Sequence, residues 1–145
     1  VLDKILAHIR RLFQAHEDLA EALPEAAFGQ KLSTRSNTIG GQFWCVVGAR
    51  ESYTRALERG GWAGFSCSLS AEASRNKGEV IQALKRTTAA FDGIVQNLSW
   101  TDAREHLLVD LLEHETQHQG QLIRYVYGLG HTFPKSWAKR WALSE

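Results

Sequence analysis

Methionine is absent from the 145 residues, and proline and cysteine occur only twice each. Two cysteines in different settings, Cys45 and Cys67, exclude a disulfide-stapled scaffold. They read as reduced thiols of a cytoplasmic protein, bacterial by default, although a bridge between the two is compatible with the sequence. No apolar run approaches the roughly 20 residues of a membrane span. The opening stretch, Val1 to Arg10, is amphipathic rather than signal-like. Its start on Val1 instead of a methionine predicts that a few residues precede it. A strong charge is missing too: the formal net charge is +1 and the basic residues are scattered, which argues against a nucleic-acid surface. Internal repeats and alternating strand patterns are also lacking, and the length fits one domain, residues 1–145.

Helical periodicity fills the rest. Leu2, Ile5, Ile9, Leu12, His16, Leu19 and Leu23 form one stripe at three- and four-residue steps, and Pro24 ends it. Glu25 to Arg35 reads as a loop. A second helix is expected from an Asn37 cap to about Glu58, and Gly60 and Gly61 stop it. Its first half, with Phe43, Trp44, Val46 and Val47, is apolar on nearly all sides, so it should be buried against several neighbours or across a dimer. Gly60 to Ser70, carrying Trp62, Phe65 and Leu69, reads as a packed crossover. A third helix is expected over about Ala71 to Leu98, weakened at Gly78. The fourth starts at a capping-box-like Asp102 and Glu105 and runs to Gly128 or Gly130. Pro134, Trp137 and Trp141 predict a short terminal helix that lays two indoles over one end. The expected fold is all-α: a four-helix bundle with a short C-terminal helix.

The chemistry concentrates in the fourth helix. His114 and His118 fall on its stripe with Leu107, Leu111, Leu122, Tyr125 and Leu129, within about 40° of one another. Two imidazoles one turn apart can converge on one metal, and buried imidazoles otherwise need polar partners. His114-Glu115-Thr116-Gln117-His118 also matches the zinc-protease string H-E-x-x-H. The extended form of that motif needs glycine at 121 and histidine at 124, where this chain has Gln121 and Arg124. A catalytic metal needs a third ligand. Cys45, on the flank of the second helix near Gln42 and Ala49, is the first candidate and His16 the second. Each also has a plain structural role available, as a small hydrophobe and a core histidine. His8, His106 and His131 look peripheral, and Cys67 has no obvious partner.

Thr38-Ile39-Gly40-Gly41-Gln42-Phe43-Trp44-Cys45 followed by Gly48-Ala49-Arg50-Glu51 resembles the second helix of the DinB-like family. His114-Glu115-Thr116-Gln117-His118-Gln119-Gly120-Gln121-Leu122 resembles the family's fourth-helix motif, and Gly128-Leu129-Gly130 through Pro134 to Trp137 its tail. The resemblance implies a four-helix bundle with a long crossover between helices two and three, commonly a homodimer. It also implies a divalent metal held by three histidines, and metal-dependent isomerases and S-transferases that use low-molecular-weight thiols. His114 and His118 match two of those histidines, and Cys45 stands at the third. A thiolate there would favour zinc, with nickel a second option, and would make bound water a weaker acid.

Two functions follow. The first is an enzyme, a thiol-dependent transferase or a hydrolase, in which a metal at His114, His118 and Cys45 activates water or a small thiol against a small-molecule substrate. Gln42 or Gln121 would orient the nucleophile, and Glu115 would act as proton acceptor or support. The second is a metal-free binding or dimerisation module with a vestigial site. A third possibility is that Cys45 is itself a reactive thiol.

Overall fold

The computed structural model describes residues 1–144. Among them are five α-helices and no strand, so the fold is all-α. The helices are α1 (Leu2–Ala22), α2 (Ile39–Arg59), α3 (Lys77–Val95), α4 (Asp102–Leu129) and α5 (Lys135–Trp141). No helix is long and apolar enough to cross a membrane.

Local chemistry sets the boundaries, and in four places it corrects the sequence expectation. Thr38, not Asn37, caps α2: its Oγ1 accepts from the Gly41 N–H at 2.8 Å. Glu25–Gly29 is a 3-10 turn rather than a loop. Helix α3 begins six residues later than expected, because Asn76 Oδ1 accepts from the Glu79 N–H at 3.0 Å and caps it there. Gly78 therefore falls in the first turn and not in the helix interior, where a glycine costs more. Thr101 caps α4 through the Arg104 N–H, so Asp102 and Glu105 are not cap and partner but first-turn acids facing the helix dipole.

Helices α1 and α2 each pack against both α3 and α4, and α5 lies on α1. The apolar interior forms two clusters. One gathers Leu19, Phe28, Phe43, Val47, Leu84, Leu122 and Trp137, the other Ile9, Phe13, Leu57, Phe91, Leu108 and Leu111. On α2, α3 and α4 the switch from one cluster to the other brackets a buried polar residue, Arg50, Thr87 and Glu115, and on α1 buried His16 lies just past the switch between Phe13 and Ala15. A polar layer thus crosses the middle of the core. The two indoles of α5 pack on the bundle beside this layer rather than over one end: Trp137 is fully buried with its Nε1 donating to the Ala15 carbonyl at 2.6 Å, and Trp141 donates to Gln119 Oε1 at 3.0 Å.

Residues 60–76 join α2 to α3 and lie against the outer side of α2. Trp44 packs on Phe65 with ring centroids 5.4 Å apart and donates Nε1 to the Leu69 carbonyl at 2.7 Å. At the start of α2 the backbones approach so closely that a Cβ on Gly40 would lie 2.1 Å from the Ser74 carbonyl oxygen and 2.8 Å from that of Phe28. A Cβ on Gly120 would meet nothing within 4 Å. Gly40→Ala should therefore destabilise the fold by roughly 1–3 kcal/mol through overpacking, while Gly120→Ala should leave stability equal or raise it by up to about 1 kcal/mol. Urea unfolding of the two variants beside the parent checks this.

Candidate functional site

The polar layer is built around Arg50, which is fully buried. A guanidinium carries five N–H donors, and every one has an acceptor. Nε and Nη2 donate to Glu115 Oε1 and Oε2 at 2.7 and 3.2 Å. Nη1 points to the Leu84 carbonyl and Thr88 Oγ1, both at 3.4 Å, and Nη2 to the Phe13 carbonyl at 3.5 Å. The plane lies over the Phe13 ring, 3.9 Å from its centroid. The two bonds to Glu115 are the strong pair; the other three are long and chiefly keep buried donors from going unmet.

Glu115 is also fully buried, and its second oxygen is 2.7 Å from His16 Nδ1. That approach is too poorly aligned for a good hydrogen bond, and His16 Nε2 has no partner among the described residues. Burial pushes the Glu115 carboxyl pKa up. The Arg50 guanidinium and His16 outweigh it and hold the group at about 2. Glu115 is therefore a buried, paired carboxylate and not the rim residue that its position relative to His114 predicts. His16 faces Glu115 inside the core, as a buried histidine of the first stripe.

His114 and His118 do come together, with ring centroids 4.5 Å apart. His118 is buried and its Nδ1 is 2.7 Å from Gln42 Oε1. The tautomer follows from the rest of the network. Gln42 Nε2 spends both hydrogens, on Asn37 Oδ1 and Gln121 Oε1, each at 2.9 Å. Its oxygen must then face His118, so His118 Nδ1 carries the proton and Nε2 keeps its lone pair. Burial first, then the neighbouring His114 and His16, lower the His118 pKa to about 4 against the opposing pull of Glu115. Burial lowers His114 as well, and its Nδ1 is enclosed with no partner among the described residues. Both rings are thus neutral at pH 7, the form that binds metals or accepts protons. Gln42 bonds His118, and Gln121 supports Gln42.

Cys45 is half-buried, and burial raises its thiol pKa. The thiol of the connecting segment, Cys67, is its neighbour: Cys67 donates to the Trp44 carbonyl at 3.5 Å, and burial, with Glu51 and Cys45 nearby, pushes it to about 11. Neither thiol has the lowered pKa of a reactive cysteine. Among the described residues no group of three or more His, Cys, Asp or Glu side chains is arranged to hold a metal ion. Neither Cys45 nor His16 therefore completes a three-ligand set with His114 and His118. The donor chemistry fits a metal through the two neutral imidazoles, and a third protein ligand is not assembled beside them.

Two open concavities flank the pair. One, of about 340 Å³, is lined by His114, Tyr53, Gln117 and the acids Asp110 and Glu113. The other, of about 420 Å³, includes Gln42, Gln121, Tyr125, Asn37, Arg35 and Arg124 in its lining and has no acid there.

No protein-family model matches the chain. No curated protein matches it either.

Two predictions follow from the polar layer. Arg50→Met should cost roughly 3–5 kcal/mol by stranding a buried carboxylate, and Arg50→Met/Glu115→Leu should be less destabilised than Arg50→Met alone; denaturant titration of both checks it. Acid should destabilise the fold in two stages. His118 binds a proton more readily unfolded (near 6.5) than folded (about 4), so stability falls as pH drops through that window. Glu115 adds a loss as pH falls below its unfolded value near 4.5 toward about 2. Urea midpoints between pH 8 and 3 read this directly, with His118→Asn shrinking the first stage to the part that His114 contributes.

Proposed function

We propose that the chain is a DinB-like four-helix bundle, with residues 60–76 as its long crossover, whose working centre is the neutral imidazole pair His114 and His118. In this reading the pair binds a divalent transition ion, zinc by preference and nickel as second choice. The protein is then a cytoplasmic, homodimeric thiol-dependent transferase or hydrolase acting on a small molecule. When bound, the ion would supply Lewis acidity and a water or thiol made nucleophilic at neutral pH. The observation that carries the reading is the Gln42 bond to His118 Nδ1, which leaves Nε2 as a free lone pair beside a second neutral ring. Fixing a ligand's tautomer by a bond to its other nitrogen is what metal-binding histidines use.

The chain's own groups have definable work. Gln42, held by Asn37 and Gln121, orients His118. His114 faces the acidic concavity, where Asp110 and Glu113 favour approach of a cation. Glu115, locked by Arg50, keeps the helices in register and takes no proton. Cys45 acts as a small packed side chain.

A second reading has its own support. The lack of a third ligand beside the pair favours a metal-free module in which His118 is a satisfied core residue and the concavities bind an organic ligand. Elemental mass spectrometry on protein expressed in zinc- and nickel-supplemented medium separates the two. The enzyme reading expects near one ion per chain, lost in His118→Ala and in His114→Ala and kept in Cys45→Ala. A wild-type chain without metal under those conditions would sink it.

A further inference from the structure

The basic concavity carries more information than the neutral pair alone. Its lining has two arginines, Arg35 and Arg124, and no carboxylate. Among the described residues neither arginine joins any of the side-chain hydrogen bonds or ion pairs that engage Arg10, Arg50 and Arg104. Two like charges are thus gathered around one hollow with nothing of opposite sign to answer them.

The hollow is also pre-formed. Arg35 sits in the segment between the α2 cap and the Glu25–Gly29 turn, and that segment is closed on itself. Lys31 and Thr38 pair as an isolated antiparallel bridge, and Ser36 Oγ accepts from the Leu32 N–H at 3.0 Å. The Ile39 N–H returns to the Gln30 carbonyl at 3.0 Å. Tyr125 pins this loop to α4, its single hydroxyl proton shared between the Asn37 carbonyl and Asn37 Oδ1. Arg124 stands one helical turn beyond Gln121 on the same helix, so the second charge is carried by a rigid element. Gln42 forms part of the wall and touches His118 through its other face.

We propose that this concavity is an oxyanion subsite, in which Arg35 and Arg124 take the carboxylate or phosphate of a small-molecule substrate and hold it one glutamine away from His118. The inference rests on the reading of the histidine pair as the working centre and names the substrate class for it: a small molecule with a terminal oxyanion. Planar, forked guanidinium donors suit both groups. The acidic concavity on the other side of the pair would repel the same molecule, so the two hollows give the site a direction.

The test uses metal-free protein, so that it is independent of ion binding. Amide and side-chain NH2 resonances of the EDTA-treated chain are followed in titrations with inorganic phosphate and, separately, with succinate. A saturable shift at Gln42, Gln121 and the Asn37–Gly41 segment is expected for at least one probe, weakening as salt rises. Affinity should fall at least tenfold in Arg35→Ala/Arg124→Ala and be partly kept in the double lysine variant. Saturation by phosphate alone assigns a phosphate-bearing ligand, by succinate alone a carboxylate-bearing one, and by both the shared oxyanion chemistry. No saturable shift with either probe, or unchanged affinity in the folded double-alanine variant, overturns the proposal. Oxyanion binding by a chain that takes up no metal would overturn the metal reading and leave the subsite standing; metal uptake without oxyanion binding would do the reverse.

Discussion

One guanidinium sets the geometry of the whole molecule. Arg50 on α2 reaches α4 through Glu115, α3 through Leu84 and Thr88, and α1 through Phe13. A buried ion pair is weak evidence of stability, because desolvation of both charges offsets much of their attraction. It is a strong constraint on arrangement, since any slip of one helix past another would strand a charge in an apolar interior. The core is divided for the same reason: the apolar residues pack in two clusters because the layer between them is reserved for groups that need hydrogen bonds.

The backbone of α1 takes part in this layer in an unusual way for a helix interior. The carbonyls of Leu12, Phe13 and Ala15 accept side-chain bonds from Gln119, Arg50 and Trp137, so α4, α2 and α5 all meet within a four-residue span of one helix. His16 lies in the same stretch, beside Glu115. The short terminal helix is therefore no loose appendage. Through Trp137 and Trp141 it closes the layer that the four long helices share.

The helical periods made most of the fold legible, and the histidine pair was legible from spacing alone. Arg50 and Glu115 were not given their roles, because hydropathy assigns a charged residue to solvent and a partner 65 positions away leaves no local trace. A signal did exist: Phe43, Val47, Arg50, Thr54 and Leu57 fall at steps of three and four, as do Leu108, Leu111, Glu115, His118 and Leu122. Each stripe holds one charge, and the two are opposite. The buried face of α4 is accordingly rotated from the expected one, with Leu108 and Gln119 inside and Leu107 and Leu129 only partly covered. Cys45 illustrates the reverse error: helical phase put it near the right flank, but phase does not show whether a short side chain reaches across to another helix. Start points such as Asn76 and Thr101 were missed because several adjacent polar residues can cap, and only the backbone selects one.

Gln42 has no spare hydrogen on its amide, and that has a consequence for the imidazole it touches. A primary amide can turn over at little cost in water, exchanging oxygen for nitrogen. Here turning it over would aim two donors at a donor and leave Asn37 and Gln121 with oxygen facing oxygen. The side of the His118 ring that bears its proton is therefore decided outside α4 as much as within it, by the loop that leads into α2 and by the phenol of Tyr125 that anchors this loop. A change at any of those positions could alter which nitrogen of His118 carries its proton without moving a single atom of the ring.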